Sequence, residues 1–561
     1  MNGRFQETLA RVREQLLAAR GTHGHWEGEL SASALSTATA VVALALVDRE
    51  QHHALIRSGL DWLAKNANAD GGWGDTVLSA SNISTTTLCW AAFGLANEPS
   101  PAAEAWLIKQ AGSIEPDQLA HAITARYGRD RTFSVPILTM CALAGRCGWE
   151  QVIALPFELS VLPPEFFKWL RLPVVSYALP ALIAIGQVRH HHRPSLRLLR
   201  DPARQRSLRV LEKIQPASGG FLEAVPLTSF VTMSLAGMGL HRHPVAERSV
   251  QFLIKAVRPD GSWPIDSNLS TWVTTLSVNA LGDNLPVSER PVIRDWLLDQ
   301  QHREPHPYTN AAPGGWAWTD LSGGVPDADD TAGALLALKN LCPANKLAEE
   351  AAQLGIRWLL GLQNSDGGFP TFCKGWGALP FDRSSPDLTA HSLRAFAAWP
   401  QTNAVHRATK CALHYLNRTQ RPDGAWSPLW FGNQHAPAEE NLTYGTANIL
   451  GALPDGPARD AGIRWLLSAQ NADGSWGGGV RSAPSIEETA LAAGALADAG
   501  QAESAHRGAA WLIDTTDAGR TLPPAPIGLY FAKLWYYEKL YPLIFLAAAM
   551  DRVSRSLARP N

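Results

Sequence analysis

The sequence is poor in cysteine and carries little net charge, and both features exclude classes of protein. Its six cysteines are scattered over 561 residues, with no Cys-x-x-Cys pair and no Cys/His cluster at the spacing of metal ligands. We therefore expect reduced thiols and no metal site. The formal net charge is −2 and 18% of the residues are charged, so the chain has no strongly basic surface for nucleic acid. Nucleic-acid binding is not expected.

Long hydrophobic runs are also missing. The two most apolar stretches, Ala38–Val47 and Tyr541–Met550, are about ten residues long, roughly half of the length that crosses a bilayer. Residues 1–21 lack the continuous apolar core of a signal peptide and are typical of a helix with one polar face. These features predict a cytoplasmic protein whose contact with the inner membrane is peripheral or monotopic.

Helical periodicity and regular turns dominate the chain, whose length and 46% hydrophobic content predict two or three domains. Helical stretches end in a polar-Asp-Gly turn followed by an aromatic residue, and no segment alternates as a strand does. Glutamines before these turns, at Gln363, Gln420 and Gln470, are expected to bond the backbone at a helix end. The pattern predicts an all-α fold of helical-hairpin repeats. From residue 263 onward the turn aromatics recur roughly every 50 residues, at Trp263, Trp316, Phe369, Trp426 and Trp476.

Three carboxylates stand close together at the predicted start of a helix, in the run Pro326–Ala332. Like charges so close cannot all ionise, so at least one of Asp327, Asp329 and Asp330 should hold a proton near neutral pH. We expect Asp329 to hold it, and the positive end of the helix dipole favours the conjugate base once the proton leaves. A helix cap is the alternative interpretation, but a cap needs only one aspartate.

Three motifs occur in a characteristic order: Gly-Gly-Trp-Ala-Trp ending at Trp318, Asp-Ala-Asp-Asp-Thr-Ala starting at Asp327, and Asp-Leu-Thr-Ala-His ending at His391. Together they resemble the class II terpene cyclases of the squalene-hopene cyclase family, and the glutamine-aromatic turns resemble the QW motifs of that family. The resemblance covers nearly the whole chain. It implies an enzyme that protonates a terminal alkene of squalene, or of a similar linear isoprenoid, and guides polycyclisation through carbocations without a cofactor.

The resemblance also implies an architecture of two α-α barrels. Residues 1–21 would form a helix that packs on the second barrel, residues 22–265 the first barrel, and residues 266–561 the second barrel with the acid motif. The substrate cavity would lie between the barrels. The apolar, proline-interrupted segment Val161–Ile185 is either buried or docks on a membrane surface. The basic stretch Arg189–Pro194 is expected to be a loop. A homodimer is left open.

Matching motifs residue by residue implies specific roles. Asp329 would donate the proton, Asp327 and Asp330 would tune and orient it, and His391 would hydrogen-bond this cluster from the helix face that it shares with Asp387. Aromatic faces would line the cavity, because they stabilise a cation without trapping it. Together with Asp387, the expected substrate-binding residues are Trp169, Trp272, Trp318, Phe372, Trp430, Tyr444, Tyr530 and Tyr537.

Two departures from the family pattern leave the product open: Pro526 and Leu534 stand where hopene-forming enzymes usually carry aromatics. An alternative substrate is a shorter one, such as geranylgeranyl diphosphate or a prenylated aromatic. A diphosphate would require a basic pocket, which the arginine-rich segment Arg193–Arg209 could supply. A zinc-dependent prenyltransferase, a glycosidase and a non-catalytic helical scaffold explain the three motifs less well.

Overall fold

The computed structural model describes residues 2–163, 179–307, 309–342, 345–374, 380–529 and 533–558. Two predicted cavity residues, Trp169 and Tyr530, lie outside the described residues, as does most of the segment Val161–Ile185. Within the described residues, no helix is both long and apolar enough to cross a membrane.

Twenty-two α-helices are described. Eleven precede residue 260: α1 Asn2–Ala18, α2 Ala34–Asp48, α3 His53–Lys65, α4 Ile83–Leu95, α5 Pro101–Ala111, α6 Pro116–Tyr127, α7 Ser134–Leu143, α8 Leu179–His192, α9 Arg197–Ile214, α10 Val225–Ala236 and α11 Pro244–Ala256. Eleven follow: α12 Ser270–Leu281, α13 Arg290–Asp299, α14 Ala328–Leu341, α15 Lys346–Leu362, α16 Pro386–Ala398, α17 Asn403–Thr419, α18 Leu442–Leu450, α19 Pro457–Ala469, α20 Ile486–Asp498, α21 Ala502–Thr515 and α22 Tyr541–Ala558.

Five very short strands accompany the helices: β1 Ala32–Ser33, β2 Trp263–Pro264, β3 Phe431–Gly432, β4 Ile527–Leu529 and β5 Leu534–Tyr536. The antiparallel pair β1–β2 joins Ala32 to Pro264, and β3, β4 and β5 form a three-stranded antiparallel sheet in that order. Strands of two or three residues have no measurable alternation in sequence, which explains why none was predicted. The expected all-α fold class is confirmed.

A glutamine side chain fastens each of five turns between helices in the described part of the chain. Its Nε2 donates to the carbonyl of a turn glycine at 2.8–3.0 Å and to a carbonyl on a neighbouring helix at 2.8–3.1 Å. The bonds predicted for Gln363, Gln420 and Gln470 are thereby confirmed. Gln215 and Gln301 make the same pair of bonds, although their turns depart from the sequence pattern.

The turn tryptophan and a helical threonine add two further bonds to each repeat. In the turn of Trp426, the indole Nε1 donates to Leu416 O at 2.8 Å, and the backbone N–H donates to Thr446 Oγ1 at 3.1 Å. The same pair of bonds occurs at Trp73, Trp263, Trp316 and Trp476. The indole bond ties the turn to the end of the preceding helix and the threonine bond ties it to the start of a helix, so these five repeats present that helix start in the same way.

The hydrophobic core divides into clusters. The largest contains α1 together with elements from α12 to α22, and a second contains mainly α2–α7, α10 and α11. Helix α1 packs on α22 through Phe5, Leu9, Val12 and Leu16, and Trp26 Nε1 donates to Leu16 O at 2.7 Å. The exact domain limits, 1–21, 22–265 and 266–561, stay predictions.

The basic stretch Arg189–Pro194 was predicted to be a loop, and this was wrong for its first four residues. Helix α8 continues to His192 because these side chains have partners. Arg189 Nε donates to Val152 O at 2.8 Å, and the buried His190 contacts Asp201 at 2.7 Å. Charge in the sequence suggested solvent exposure, whereas tertiary contacts bury two of these residues.

The glutamine bonds predict a stability effect that can be measured. Gln301 is buried, so Gln301→Ala leaves the carbonyls of Gly314 and Ala351 without their donor. We expect a loss of about 1–3 kcal/mol for buried groups left unpaired, seen as a lower Tm at a fixed scan rate. Gln205→Ala, at an exposed position on α9, is the matched control and should melt as the parent does. Equal melting of both variants would refute the stabilising role.

Candidate active site

The acidic cluster is built on the first turn of α14. Asp327 is the N-cap: its carboxylate accepts from the N–H groups of Asp329 at 2.8 Å and Asp330 at 2.9 Å. Its own N–H donates to Trp316 O at 3.0 Å, and the next N–H, of Ala328, donates to Thr371 O at 2.8 Å. The helix start is therefore fixed from two sides. The cap interpretation holds for Asp327 and leaves Asp329 and Asp330 for other roles.

Burial changes the ionisation of two members of the cluster. Asp327 and Asp330 are 3% and 5% exposed. Burial, followed by the charge of Asp327 and a hydrogen bond to it, raises the pKa of Asp330 well above its usual range. Burial raises the pKa of Asp327 to about 7. Burial therefore favours the neutral form of Asp330, as expected for at least one of the three carboxyls, whereas the expectation that Asp329 holds a proton stays a prediction.

Asp329 has a different environment, because its side chain is 17% exposed and contacts His391. Nδ1 of His391 lies 2.5 Å from Oδ1 of Asp329, and the imidazole is buried in α16. Burial lowers the pKa of His391, although the nearby Asp329 opposes this effect. At this distance the imidazole and the carboxyl group form a short hydrogen bond. The structure thus brings together Asp329 and His391, 62 positions apart.

Asp387 lies in the first turn of α16, on the helix that carries His391, and is buried. It accepts a hydrogen bond from Ser385 Oγ, which also accepts from Leu429 N at 3.2 Å. Burial, opposed by the Ser385 bond, raises the pKa of Asp387 to about 6. Within the described part of the chain no hydrogen bond joins Asp387 to His391, so the two act through separate partners.

Three predicted cavity aromatics form a continuous row. The ring of Phe372 meets Trp318 at 6.4 Å and Trp430 at 5.7 Å between centroids, edge to face in both pairs. Trp430 Nε1 donates to Thr371 Oγ1, and Thr371 O holds the Ala328 N–H at the start of α14. Thr371 therefore connects the aromatic row to the acidic cluster. Sequence reasoning missed it, because a lone threonine in a loop carries no signal.

Trp272 belongs to a second aromatic group beside the acid. Its ring meets His391 edge to face at 6.4 Å, and its Nε1 donates to Tyr541 Oη at 2.9 Å. Tyr541 Oη lies 3.1 Å from Tyr536 Oη, and burial raises the pKa of both phenols. Tyr444, also predicted, is buried on α18 with its ring 4.5 Å from Phe431.

Tyr537 is not brought to this group. Strand β5 ends at Tyr536, and the charges that act on the half-buried Tyr537 are those of Lys539, Arg258 and Glu29. The charges of Asp329 and Asp330 act on its neighbour Tyr536 and contribute to the raised pKa of that phenol. The role of Tyr537 as a substrate-binding residue stays a prediction.

Comparison with known proteins agrees with the sequence motifs. Residues 9–179 match the squalene-hopene cyclase N-terminal domain, and residues 269–553 match the squalene-hopene cyclase C-terminal domain. The chain belongs to the squalene-hopene cyclase family. It is a terpene cyclase of class II, an enzyme that starts cyclisation by protonation.

Individual relatives of this cyclase are distant. It is 26% identical to the squalene-hopene cyclase of Alicyclobacillus acidocaldarius over 527 residues, which cover 80% of this chain and 78% of that protein. It is 24% identical to the squalene-hopene cyclase of Bradyrhizobium diazoefficiens, covering 97% of this chain and 94% of that one. Among solved structures, ent-copalyl diphosphate synthase from Streptomyces platensis matches with a TM-score of 0.57 and 19% identity, over 98% of this chain and all of that one. This likeness supports the α-α barrel fold.

The protonated state of Asp330 in this cyclase predicts an unusual pH dependence of stability. Its folded-state pKa is raised, so the folded chain retains a proton that the unfolded chain loses above about pH 4. Stability from this group is therefore full at low pH and falls as the pH rises. Asp330→Asn removes the titrating group and with it the loss of stability at high pH. We therefore expect the Tm of this variant to exceed the parental value by about 1–3 °C at pH 8.

The difference in Tm should shrink towards pH 4, where Asp330 is neutral in both states. Asp299→Asn, at an exposed position of α13, serves as the control and should give a difference that does not depend on pH. A parental Tm profile for Asp330→Asn across this range would show that Asp330 is ionised in the fold.

Proposed function

We propose that this cyclase protonates the terminal alkene of squalene, or of a similar linear isoprenoid, with Asp329 as the acid. The observation that carries the proposal is the short contact between Asp329 and His391 beside the aromatic groups. Of the three clustered carboxyls, Asp329 has the accessible side chain, whereas Asp327 and Asp330 are buried and bonded to their own helix or to each other. Of these three carboxyl groups, Asp329 is therefore the one that a substrate can reach.

The proton transfer follows from the hydrogen bonds around Asp329. In the reactive state, His391 Nδ1–H donates to Oδ1 of Asp329, and Oδ2 carries the proton that goes to the alkene. As that proton leaves, negative charge develops on the carboxylate, where the His391 bond and the helix dipole of α14 stabilise it. Asp330, being neutral, adds no charge that would oppose ionisation of Asp329. These interactions strengthen with the progress of the reaction, as transition-state stabilisation requires.

The alkene carbon that remains cationic is stabilised by the aromatic residues. The row of Trp318, Phe372 and Trp430 offers π faces that attract positive charge but cannot form a bond that ends the reaction. Cyclisation then competes with deprotonation at each stage. The aromatic row acts only after protonation and therefore governs the product rather than the start of the reaction.

An uncharged substrate fits the polar groups near Trp318 better than a diphosphate does. Burial and the nearby Glu223 raise the pKa of Asp266, which lies close enough to the Trp318 indole to sense its N–H. Burial also raises the pKa of Glu223. These groups are acidic, and among the described residues neither forms an ion pair with a cationic side chain that could hold a phosphate. In the arginine-rich segment, Arg200 is already paired with Glu158 at 3.1 Å. These contacts favour a hydrocarbon over geranylgeranyl diphosphate.

The assignment predicts the effect of one isosteric substitution. Purified protein should convert squalene to polycyclic products, detected by gas chromatography and mass spectrometry, and Asp329→Asn should reduce this turnover by several orders of magnitude because the amide cannot supply the proton. The parental enzyme is tested with geranylgeranyl diphosphate in parallel. Asp299→Asn controls for removal of a distant carboxylate.

Two results would overturn different parts of the proposal. Substantial turnover by a folded Asp329→Asn variant would mean that another group is the acid. Faster conversion of geranylgeranyl diphosphate than of squalene by the parental enzyme would move the substrate to the shorter prenyl class while leaving the acid in place.

The aromatic row predicts altered products after loss of one ring. Phe372→Leu keeps much of the volume but removes a π face that contributes about 0.5–2 kcal/mol to a desolvated cation, which shifts competing steps by roughly twofold to thirtyfold. We expect less cyclised hydrocarbons from squalene. Trp430→Phe retains a ring and should change the product ratio less than Trp430→Leu does.

Phe396→Leu is the matched control for a lost core ring. Phe396 is buried in α16 against Phe369, so its loss should lower stability without altering the ratio of products. A parental product spectrum from both Phe372→Leu and Trp430→Leu would mean that these rings are ordinary core.

A further inference from the structure

Arg394 is an unusual charged residue on α16, the helix that carries His391. It lies one turn after His391 on α16, and residues at this spacing have Cβ atoms about 5–6 Å apart on one helix face. The side chain is partly buried, and its Nε is fully buried without a hydrogen-bond partner. Among the described residues no carboxylate forms an ion pair with it. A charge in this position must act on its neighbours through space.

The other arginines near Arg394 have ion-pair partners. It lines a small cleft of about 30 Å³ that also contains Arg459, Asp498 and Arg552. Arg552 has a partner in Asp498 at 3.3 Å, and Arg459 has one in Asp455 at 3.1 Å. Arg459 and Arg552 are thus each paired with a carboxylate, whereas Arg394 has no ion pair among the described residues.

Burial and Arg552 lower the pKa of Arg394 to about 10, so the guanidinium is still positive at neutral pH. The carboxylate that interacts with this charge is Asp329. The same charge disfavours protonation of His391. The charged or titratable groups that face Arg394 are His391 on its own helix, Asp329 on α14, Tyr444 on α18, Arg459 on α19, Asp498 on α20 and Arg552 on α22.

We propose that Arg394 is a positioning residue for proton transfer, which strengthens Asp329 as an acid by placing an unpaired positive charge behind the Asp329–His391 pair. This inference rests on the proposed role of Asp329. The charge stabilises the carboxylate that remains after protonation of the alkene. It also raises the cost of an imidazolium, so the proton of Asp329 is not lost to His391. Arg394 does not contact the substrate and acts only through these two groups.

The proposal predicts two opposite changes in a pH profile. In Arg394→Gln, Asp329 becomes a weaker acid, so the rate of squalene cyclisation at low pH should fall roughly threefold. A weaker acid also keeps its proton to higher pH, so the alkaline limb of the profile should move up by about one pH unit. Arg394→Lys retains the charge and should keep the limb near its parental position. Arg459→Gln removes a paired arginine from the same cleft. This variant should retain the parental rate of cyclisation and the parental position of the alkaline limb.

A merely structural role would lower the rate without moving the limb, and that result would overturn the proposal. An Arg394→Lys profile that matches Arg394→Gln would also overturn it, because the charge would then be irrelevant. Arg394→Met is a second neutral variant in case the glutamine variant does not fold, and its limb must shift in the same direction. Asp329→Asn in the same assay separates the two proposals: if it remains active, the acid assignment fails, whereas an unmoved limb with an inactive Asp329→Asn refutes only the role of Arg394.

Discussion

The cap of α14 is the interaction on which the site depends. The Asp327 carboxylate holds the N–H groups of Asp329 and Asp330, and the backbone carbonyls of Trp316 and Thr371 hold the two residues before them. These bonds fix the direction in which each carboxyl leaves the helix. Asp330 turns inward and is buried, while Asp329 stays accessible at the helix mouth next to His391. A displaced cap would move the acid away from the imidazole that stabilises its conjugate base.

The acid site is a variation on a structural repeat. Thr331 in the acidic motif accepts from Trp316 N as Thr489 accepts from Trp476 N, so Glu487 and Glu488 occupy the positions of Asp329 and Asp330 three repeats later. Burial raises the pKa of Glu487 to about 8. Yet Glu487 accepts from Ala525 N, and Glu488 from the amides of Asn433 and Asn441. The carboxyl of Glu487 is thus bonded to backbone, whereas that of Asp329 contacts a histidine, and this contact distinguishes Asp329.

The sequence predicts those parts of the fold that repeat and those motifs that are contiguous. The five-fold turn pattern indicated helical repeats, and the clustered aspartates indicated the acid. Features that depend on tertiary contacts were not accessible. Arg189 and His190 belong to a helix because Val152 and Asp201 bind them, and Tyr536 lies close enough to Asp329 and Asp330 for their charges to act on its phenol. Arg394 carries no signal in sequence, because an arginine on a helix is usually solvated and only the fold leaves this one unpaired.

The groups around Asp329 would have to stabilise two opposite charges, the carboxylate and the carbocation. Proton transfer to an alkene creates a carboxylate and a carbocation at once, and the carboxylate is itself a nucleophile that could capture the cation. In the proposed mechanism, hydrogen bonding from His391 and the charge of Arg394 lower the nucleophilicity of the carboxylate, while the aromatic rings stabilise the cation without bonding to it. The polar groups proposed to support the acid therefore lie on α14 and α16. A charged donor on the opposite side, among the rings, would oppose the cation that the reaction must form.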